Sequence, residues 1–407
     1  MHLLFLTDNF PPEGNAPASR TYEHARVWVK KGHDITVITC APNFPEGKIF
    51  SGYSNNWISK ENIDGITVWR VKTFIAANEG VFIRTLDYLS FMFSSFFFGL
   101  FSRKVDVVVG TSPQFFTVIS AWALSKVKRV PFVFELRDIW PASIAAVGAV
   151  KQSVVISFLE KVELFLYEQA DEIIAVTHSF KLDLISRGVD PSKITVILNG
   201  VDLSQFAPMS KKDPRLLAEL DLQDKFVVGY VGTHGLAHAL DYVVEAAKLL
   251  RDQSGVVFLF AGGGAYKKQL EELIYQAGLN NVVSLSRQPK DAMRRVWSLC
   301  DVALISLSDS ALFTTVIPSK IFEAMGMGLP MIISVPKGEA TKIIERHDCG
   351  IEVLPESPME IANAISVLFN DREGTAWYAK NSLDAASQYE RTRLAESFIE
   401  TVERRVL

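Results

Sequence analysis

The sequence has little cysteine and scatters it: Cys40, Cys300 and Cys349 are the three in 407 residues. No CxxC pair occurs, and an odd number of distant thiols suits no disulfide framework, so a reducing cytoplasm is the expected compartment. The GxxxxGK[ST] loop of P-loop nucleotidases is missing, as are GxSxG, HExxH and paired Cys/His spacings. No Asp-x-Asp is present, so a bound diphosphate would have to be neutralised without that metal clamp, by helix N-termini and basic side chains. Long like-charge runs are lacking and the net charge is −4, which argues against a nucleic-acid binder. The start, MHLLFLTDNFPP, has no basic segment ahead of its apolar run and reads as a buried first strand rather than a signal peptide.

A membrane-spanning run is also lacking. The longest uncharged apolar stretch, Tyr88–Phe101, falls short of the ~20 residues a bilayer requires. It reads either as a buried helix or as a surface that dips into a membrane. Arg103 and Lys104 follow it, with Lys126, Lys128 and Arg129 later, and basic residues beside exposed apolar ones suit an anionic leaflet.

What is present is an ordinary globular composition, 48% hydrophobic and 22% charged, at a length that predicts two domains. Apolar runs at His2–Thr7, Ile35–Cys40, Thr67–Val71, Val105–Gly110, Phe132–Glu135, Glu172–Val176 and Thr195–Leu198 read as strands buried on both faces. Helical patterns such as Ala18–Lys31, Phe115–Lys126 and Val154–Gln169 intervene. Residues Asn199–Lys212 carry turn residues and little periodicity, and read as a linker. The same alternation then restarts, with strands from Phe226–Tyr230 to Gly350–Val353 and helices including Leu240–Asp252, Lys267–Ala277, Lys290–Leu299 and Ser319–Met325. A last helix is expected at Arg391–Val406. The prediction is α/β: two Rossmann-like doubly wound domains facing a central cleft, where ligands of such sheets bind outside the carboxyl ends of the strands.

Four constellations carry chemistry. The loop Phe10–Ser19 follows the first strand, and Gly14 with Asn15 allows close backbone approach there. In Phe134-Glu-Leu-Arg-Asp-Ile-Trp-Pro141, Glu135, Arg137 and Asp138 cluster past a strand. Asp138 could orient an acceptor hydroxyl or accept its proton; the alternative is a pair with Arg137 or a cap on a helix at Pro141. His178, at the end of another strand, could line the same site or be structural. In Tyr230-Val-Gly-Thr-His-Gly-Leu-Ala-His238, Gly232 and Gly235 would let amides approach phosphate oxygens, with His234 or His238 as donors. In Ile317-Pro-Ser-Lys-Ile-Phe-Glu323, Ser319 is an expected N-cap, Lys320 complements the free amides, and Glu323 one turn on can hold ribose hydroxyls.

Taken together, Gly14, Asn199-Gly-Val-Asp202, Gly262-Gly263-Gly264, Pro318-Ser-Lys-Ile-Phe-Glu-Ala and Gly328-Leu-Pro330 resemble the family 4 retaining glycosyltransferases of the GT-B fold. The nearest subgroup is bacterial O-antigen and capsule N-acetyl-L-fucosamine transferases. The resemblance implies an N-terminal acceptor-binding domain over 1–205 and a C-terminal nucleotide-sugar domain over 206–385. It also implies a helix, 386–407, that crosses back to the N-terminal domain. It implies a UDP-sugar donor as substrate, no cofactor, no metal, and an undecaprenyl-diphosphate-linked saccharide as acceptor at the inner face of the plasma membrane. Glu323 matches the second glutamate of the family's E-x7-E pattern, while the first falls at Thr315, a loss that suits a deoxy or amino sugar. The family's arginine and lysine beside the diphosphate fall near Thr233 and His238, leaving Lys320, His238 and Arg287 to share that work. Asp138, His178 and Glu135 are the catalytic-side candidates. Two rival readings share the architecture: a UDP-sugar 2-epimerase, and an inert transferase-like scaffold.

Overall fold

The computed structural model describes residues 1–44, 46–75, 81–112, 114–139 and 154–406. They fall into two compact units, Met1–Leu198 with Arg391–Leu407, and Asn199–Glu390.

The first unit is built on eight strands: β1 (His2–Leu6), β2 (Asp34–Cys40), β3 (Ile58–Ile63), β4 (Ile66–Val71), β5 (Val107–Thr111), β6 (Phe132–Leu136), β7 (Glu172–Ala175) and β8 (Ile194–Val196). Their order is β3-β4-β2-β1-β5-β6-β7-β8. Every pairing is parallel except β3 with β4. β3 is the strand that apolar patterning overlooks. Its sequence, ISKENI, alternates between half-buried and exposed residues, as a wet antiparallel edge does, whereas β1 and β5 are apolar because both faces are covered.

Leu3, Phe5, Val37, Val107, Val109 and Ile174 of this sheet meet Trp28 from the helix Ala16–Lys30 and Phe398, Ile399 and Val402 from the helix Arg391–Val406. Asn15 starts the first of these helices by accepting a bond from Ala18 N at 2.9 Å, the ordinary N-cap geometry. The last helix is tied to the same unit by polar contacts as well. Trp28 Nε1 donates to Ala395 O at 2.7 Å. Arg391 pairs with Glu23 at 3.2 Å, Lys31 with Glu396 at 3.1 Å and Arg405 with Glu172 at 2.8 Å.

The stretch at Tyr88–Phe101 lies in the helix Val81–Leu100. Phe91 and Ser95 are buried, with Ser95 Oγ 2.9 Å from Ser120 Oγ of the helix Phe115–Lys128. The buried-helix reading therefore holds for one face only. On the other, Phe93, Phe97 and, just past the helix, Phe101 are 65%, 54% and 67% exposed. Among the described residues no helix is long and apolar enough to cross a membrane.

The second unit carries six parallel strands, β9 (Phe226–Thr233), β10 (Val256–Gly263), β11 (Val282–Leu285), β12 (Val302–Ser306), β13 (Met331–Ser334) and β14 (Gly350–Val353). Their order, β11-β10-β9-β12-β13-β14, is the 3-2-1-4-5-6 arrangement of dinucleotide-binding sheets. Val228, Phe258, Phe260 and Leu304 pack against Val243, Val244 and Ala247 of one helix and Ile361, Ile365 and Leu368 of another.

Candidate active site

In the second unit, the candidate donor residues gather where β9 and β10 end. The two strands run in register to Gly232↔Gly262 and Thr233↔Gly263. Gly232, Gly262 and Gly264 have φ of +138°, +151° and +151°, conformations that side-chain-bearing residues rarely adopt. A Cβ on Gly262 would overlap Gly232 O, and one on Gly264 would overlap His234 O. The turn is thus closed tightly by backbone, with His234 N donating to Gly263 O at 2.9 Å and Tyr266 N to His234 O at 3.0 Å.

Two polar side chains lie beneath this turn without partners. His234 is 0% exposed, and neither ring nitrogen has a hydrogen bond. Burial, then Lys267 and Lys320, pull its pKa down to about 4. Lys320 is 8% exposed. Its Nζ has no hydrogen-bond partner and lies 3.7 Å from the centroid of the Tyr230 ring. Burial draws its pKa down to about 7, with Glu323 opposing. A Cβ built on Gly232 would stand 3.3 Å from that Nζ, so the amine reaches the end of β9. Tyr230 is fixed in turn by its hydroxyl, which donates to Thr233 O at 2.7 Å. His238 Nδ1 sits 3.4 Å from Ser306 O, and its pKa is lowered to about 4 by burial and Lys320.

Burying polar groups unpaired is costly, ~1–3 kcal/mol each for neutral ones. These groups keep unused hydrogen-bonding capacity under a glycine turn at the carboxyl end of a Rossmann sheet, where such sheets bind ligands.

The segment 317–323 differs from its expected form. The helix begins at Lys320 and ends at Gly326. Ser319 occupies the N-cap position with φ −60° and ψ −25° and makes no side-chain capping bond. Its backbone is already helical, which keeps the hydroxyl from the amides that an extended N-cap reaches. Lys320 correspondingly points into the interior instead of standing beside free amides. Glu323 is half-buried and its Oε2 accepts a 3.0 Å bond from the indole of Trp297, a contact that nothing in the local sequence announces. Thr315 donates Oγ1 to Leu312 O at 2.9 Å, at the end of the turn Ala311–Thr314. Gly263 lies beside Arg287, whose Cβ would be 3.6 Å from a Cβ on Gly263. Arg287 and Thr233 are exposed.

In the first unit the candidates are spread along the carboxyl edge of the sheet. Glu135, at the end of β6, is buried and bonded to Arg20 Nε at 2.8 Å. Burial pushes its pKa up, but Arg20 and Arg137 outweigh that and hold it below the usual carboxylate range. Arg20 also donates to Leu198 O at 2.9 Å and Ile197 O at 3.2 Å. The pair therefore joins the first helix to β6 and to the end of the sheet. Arg137 directs its guanidinium to Pro17 O and Ala16 O, each at 3.3 Å. Asp138 is half-buried, its amide held 3.2 Å from Ser112 Oγ; the expected helix at Pro141 lies outside the described residues. His178 does not end a strand. β7 stops at Ala175, Thr177 caps the next helix through Phe180 N at 3.1 Å, and His178 is its exposed first residue. Gly14 is exposed, and Asn15 is spent on its cap.

This edge also holds acids that the motif reading did not single out. Glu13, buried, accepts from Asn43 N at 2.8 Å and Phe44 N at 2.9 Å. Asp87, on the Val81–Leu100 helix, is raised to about 7 by burial and by Asp8.

The fold is that of GT-B glycosyltransferases. HepE of Anabaena, solved in complex with UDP, superposes with a TM-score of 0.72 at 19% identity, covering 99% of this chain and 100% of that one. WaaG, a glycosyltransferase involved in lipopolysaccharide biosynthesis, gives 0.67 at 14% identity over 97% and 98%. Residues 18–205 match the model of Glycosyltransferase Family 4, and residues 214–385 match that of Glycosyl transferases group 1. The chain belongs to this family of glycosyltransferases. It is also similar to WcaI of Escherichia coli (strain K12), named for colanic acid biosynthesis, at 27% identity over 82% of this chain and 83% of that protein.

Proposed function

We propose that the second unit binds a UDP-sugar, with the diphosphate over the Gly232 turn and Lys320 and the ribose on Glu323. The sugar moved is a deoxy or amino sugar, N-acetyl-L-fucosamine in the nearest reading, and it goes to a lipid-linked saccharide in bacterial surface-polysaccharide assembly. The observation that carries this is the unpartnered Lys320 amine beneath the turn. The UDP complex of HepE and the polysaccharide pathways named for WcaI and WaaG support the same direction.

Transfer proceeds with retention and without a metal. The diphosphate leaves, the sugar becomes oxocarbenium-like, and the acceptor oxygen enters on the same face while a leaving phosphate oxygen takes its proton. The protein's part is positioning and stabilising charge on the leaving group, so it needs no nucleophile of its own. Asp138 and His178 act on the acceptor side, and Glu135 holds Arg20.

The acceptor is an undecaprenyl-diphosphate-linked saccharide. The first unit meets the inner leaflet through Phe93, Phe97 and Phe101, flanked by the exposed Arg103, Lys104, Lys126 and Arg129. Aromatic residues beside basic ones favour an anionic lipid surface.

The test is calorimetry with UDP on wild type and Glu323→Ala, followed by a screen of UDP-sugars for acceptor-independent hydrolysis. UDP binding weakened at least tenfold by the substitution is expected. Equal binding by both proteins overturns the ribose assignment, and turnover of donor to an epimer in the screen overturns transfer.

A further inference from the structure

Lys320 is an ammonium site without the surroundings of one. Its Nζ is buried, has no oxygen within bonding distance, and rests on the face of Tyr230. Salt-bridged lysines elsewhere in the chain look different: Lys212 has Asp301 at 2.6 Å and Lys267 has Glu271 at 3.2 Å. The groups that face Lys320 are few. On its own helix Glu323 favours its charge, but that carboxylate already accepts the Trp297 indole. From β9 comes the Tyr230 ring, whose phenol is pushed well above its usual range by burial. His234 and His238 approach from the turn that follows, each pulled down to about 4, first by burial. Lys267, on the next helix, acts on His234 and adds a positive charge to the neighbourhood. The aromatic face offers a cation some attraction, yet it does not replace the lost hydration of a buried charge.

We propose that Lys320 is only partly protonated in the unliganded protein near neutral pH and takes up a proton from solvent as the anionic donor enters, so that the ligand completes the ammonium that holds it. This deepens the donor-site reading above and rests on it. Nζ changes from –NH2 to –NH3+, the proton coming from water or buffer on binding and returning there when the nucleotide leaves. Burial, only partly offset by Glu323, draws the amine down to about 7, and an anion at the end of β9 reverses the balance. A titrating cation at this place makes nucleotide release easier as pH rises.

The experiment is titration calorimetry of the full chain with UDP, at pH 7 and pH 8, in buffers of different ionisation enthalpy. The terminal phosphate of UDP, taken with a second pKa of ~6 as for phosphomonoesters, is mostly ionised at pH 7 and almost fully at pH 8. Fractional proton uptake per UDP is expected at pH 7 and a larger uptake at pH 8, with affinity falling by up to about tenfold per unit as pH rises further. His234→Asn and His238→Gln should retain the uptake. Lys320→Met should bind at least tenfold more weakly and without uptake, while melting no lower than wild type. Heat independent of buffer in wild type overturns the proposal, as does uptake that persists in Lys320→Met or vanishes only in a histidine variant. Absence of UDP binding by the wild type overturns the donor-site reading instead.

Discussion

Trp297 Nε1 donates to Glu323 Oε2 across 3.0 Å, joining two residues that lie on different helices. The indole is fully buried, so its bond restrains the orientation of the carboxylate. A hydrogen bond to a charged group is worth ~1.5–3 kcal/mol. Trp297→Phe loses the donor and part of the packing of a fully buried ring. UDP affinity is expected to fall about tenfold and the melting temperature by several degrees, as read by calorimetry and thermal unfolding. An unchanged affinity would show that Glu323 needs no such tether.

The Arg20–Glu135 pair predicts a pH-dependent stability defect. Glu135 has a lowered pKa in the folded protein, so the pair stabilises above the unfolded carboxylate value and loses that contribution as pH falls through the folded one. Arg20→Met leaves a buried carboxylate short of its partner, a change that costs ~3–5 kcal/mol when the charge stays buried. The loss should be large at pH 7 and smaller as pH falls to 4, because the buried Glu135 of the variant, deprived of Arg20, takes up a proton more readily than in wild type. Denaturant midpoints at the two pH values measure it; an equal loss at both would remove charge from the explanation.

By the resemblance drawn from its motifs, Thr315 falls at the first glutamate of the E-x7-E pattern. Thr315→Glu is expected to raise use of a fully hydroxylated UDP-hexose relative to deoxy or amino sugars by about tenfold, the equivalent of a single charge-assisted hydrogen bond. Competing donors in one assay read the ratio. No shift in preference would mean that position 315 does not touch the sugar.

The exposed stripe of Phe93, Phe97 and Phe101 predicts behaviour at lipid surfaces. Wild-type protein should float with vesicles containing anionic phospholipid and release them at high salt, because the basic contribution is screened. Phe93→Ser with Phe97→Ser should remain at the bottom of the gradient while keeping wild-type stability, since both rings are already exposed. Wild-type protein that fails to float defeats the membrane assignment.

The parallel strands were legible because each is apolar on both faces, as β1, β5 and β9 are. The glycine positions around Gly232 and Gly262 were legible because a closely approached backbone excludes side chains. β3 was not, since its polar alternation resembles a loop. Nor could spacing reveal that Lys320 points inward, that Trp297 grips Glu323, or that Arg20 reaches Glu135. Each is a pairing across distant segments, fixed by the sheet and helices between them. The cap at Ser319 failed for a local reason: its backbone joins the helix early.

The helix Arg391–Val406 fills the first unit's core with Phe398, Ile399 and Val402 around Trp28. During synthesis, that hydrophobic interior must therefore wait for residues 391–406 to leave the ribosome. A fragment stopped at Leu198 would expose Trp28 to water, and expressing the first unit alone calls for grafting residues 391–407 onto it.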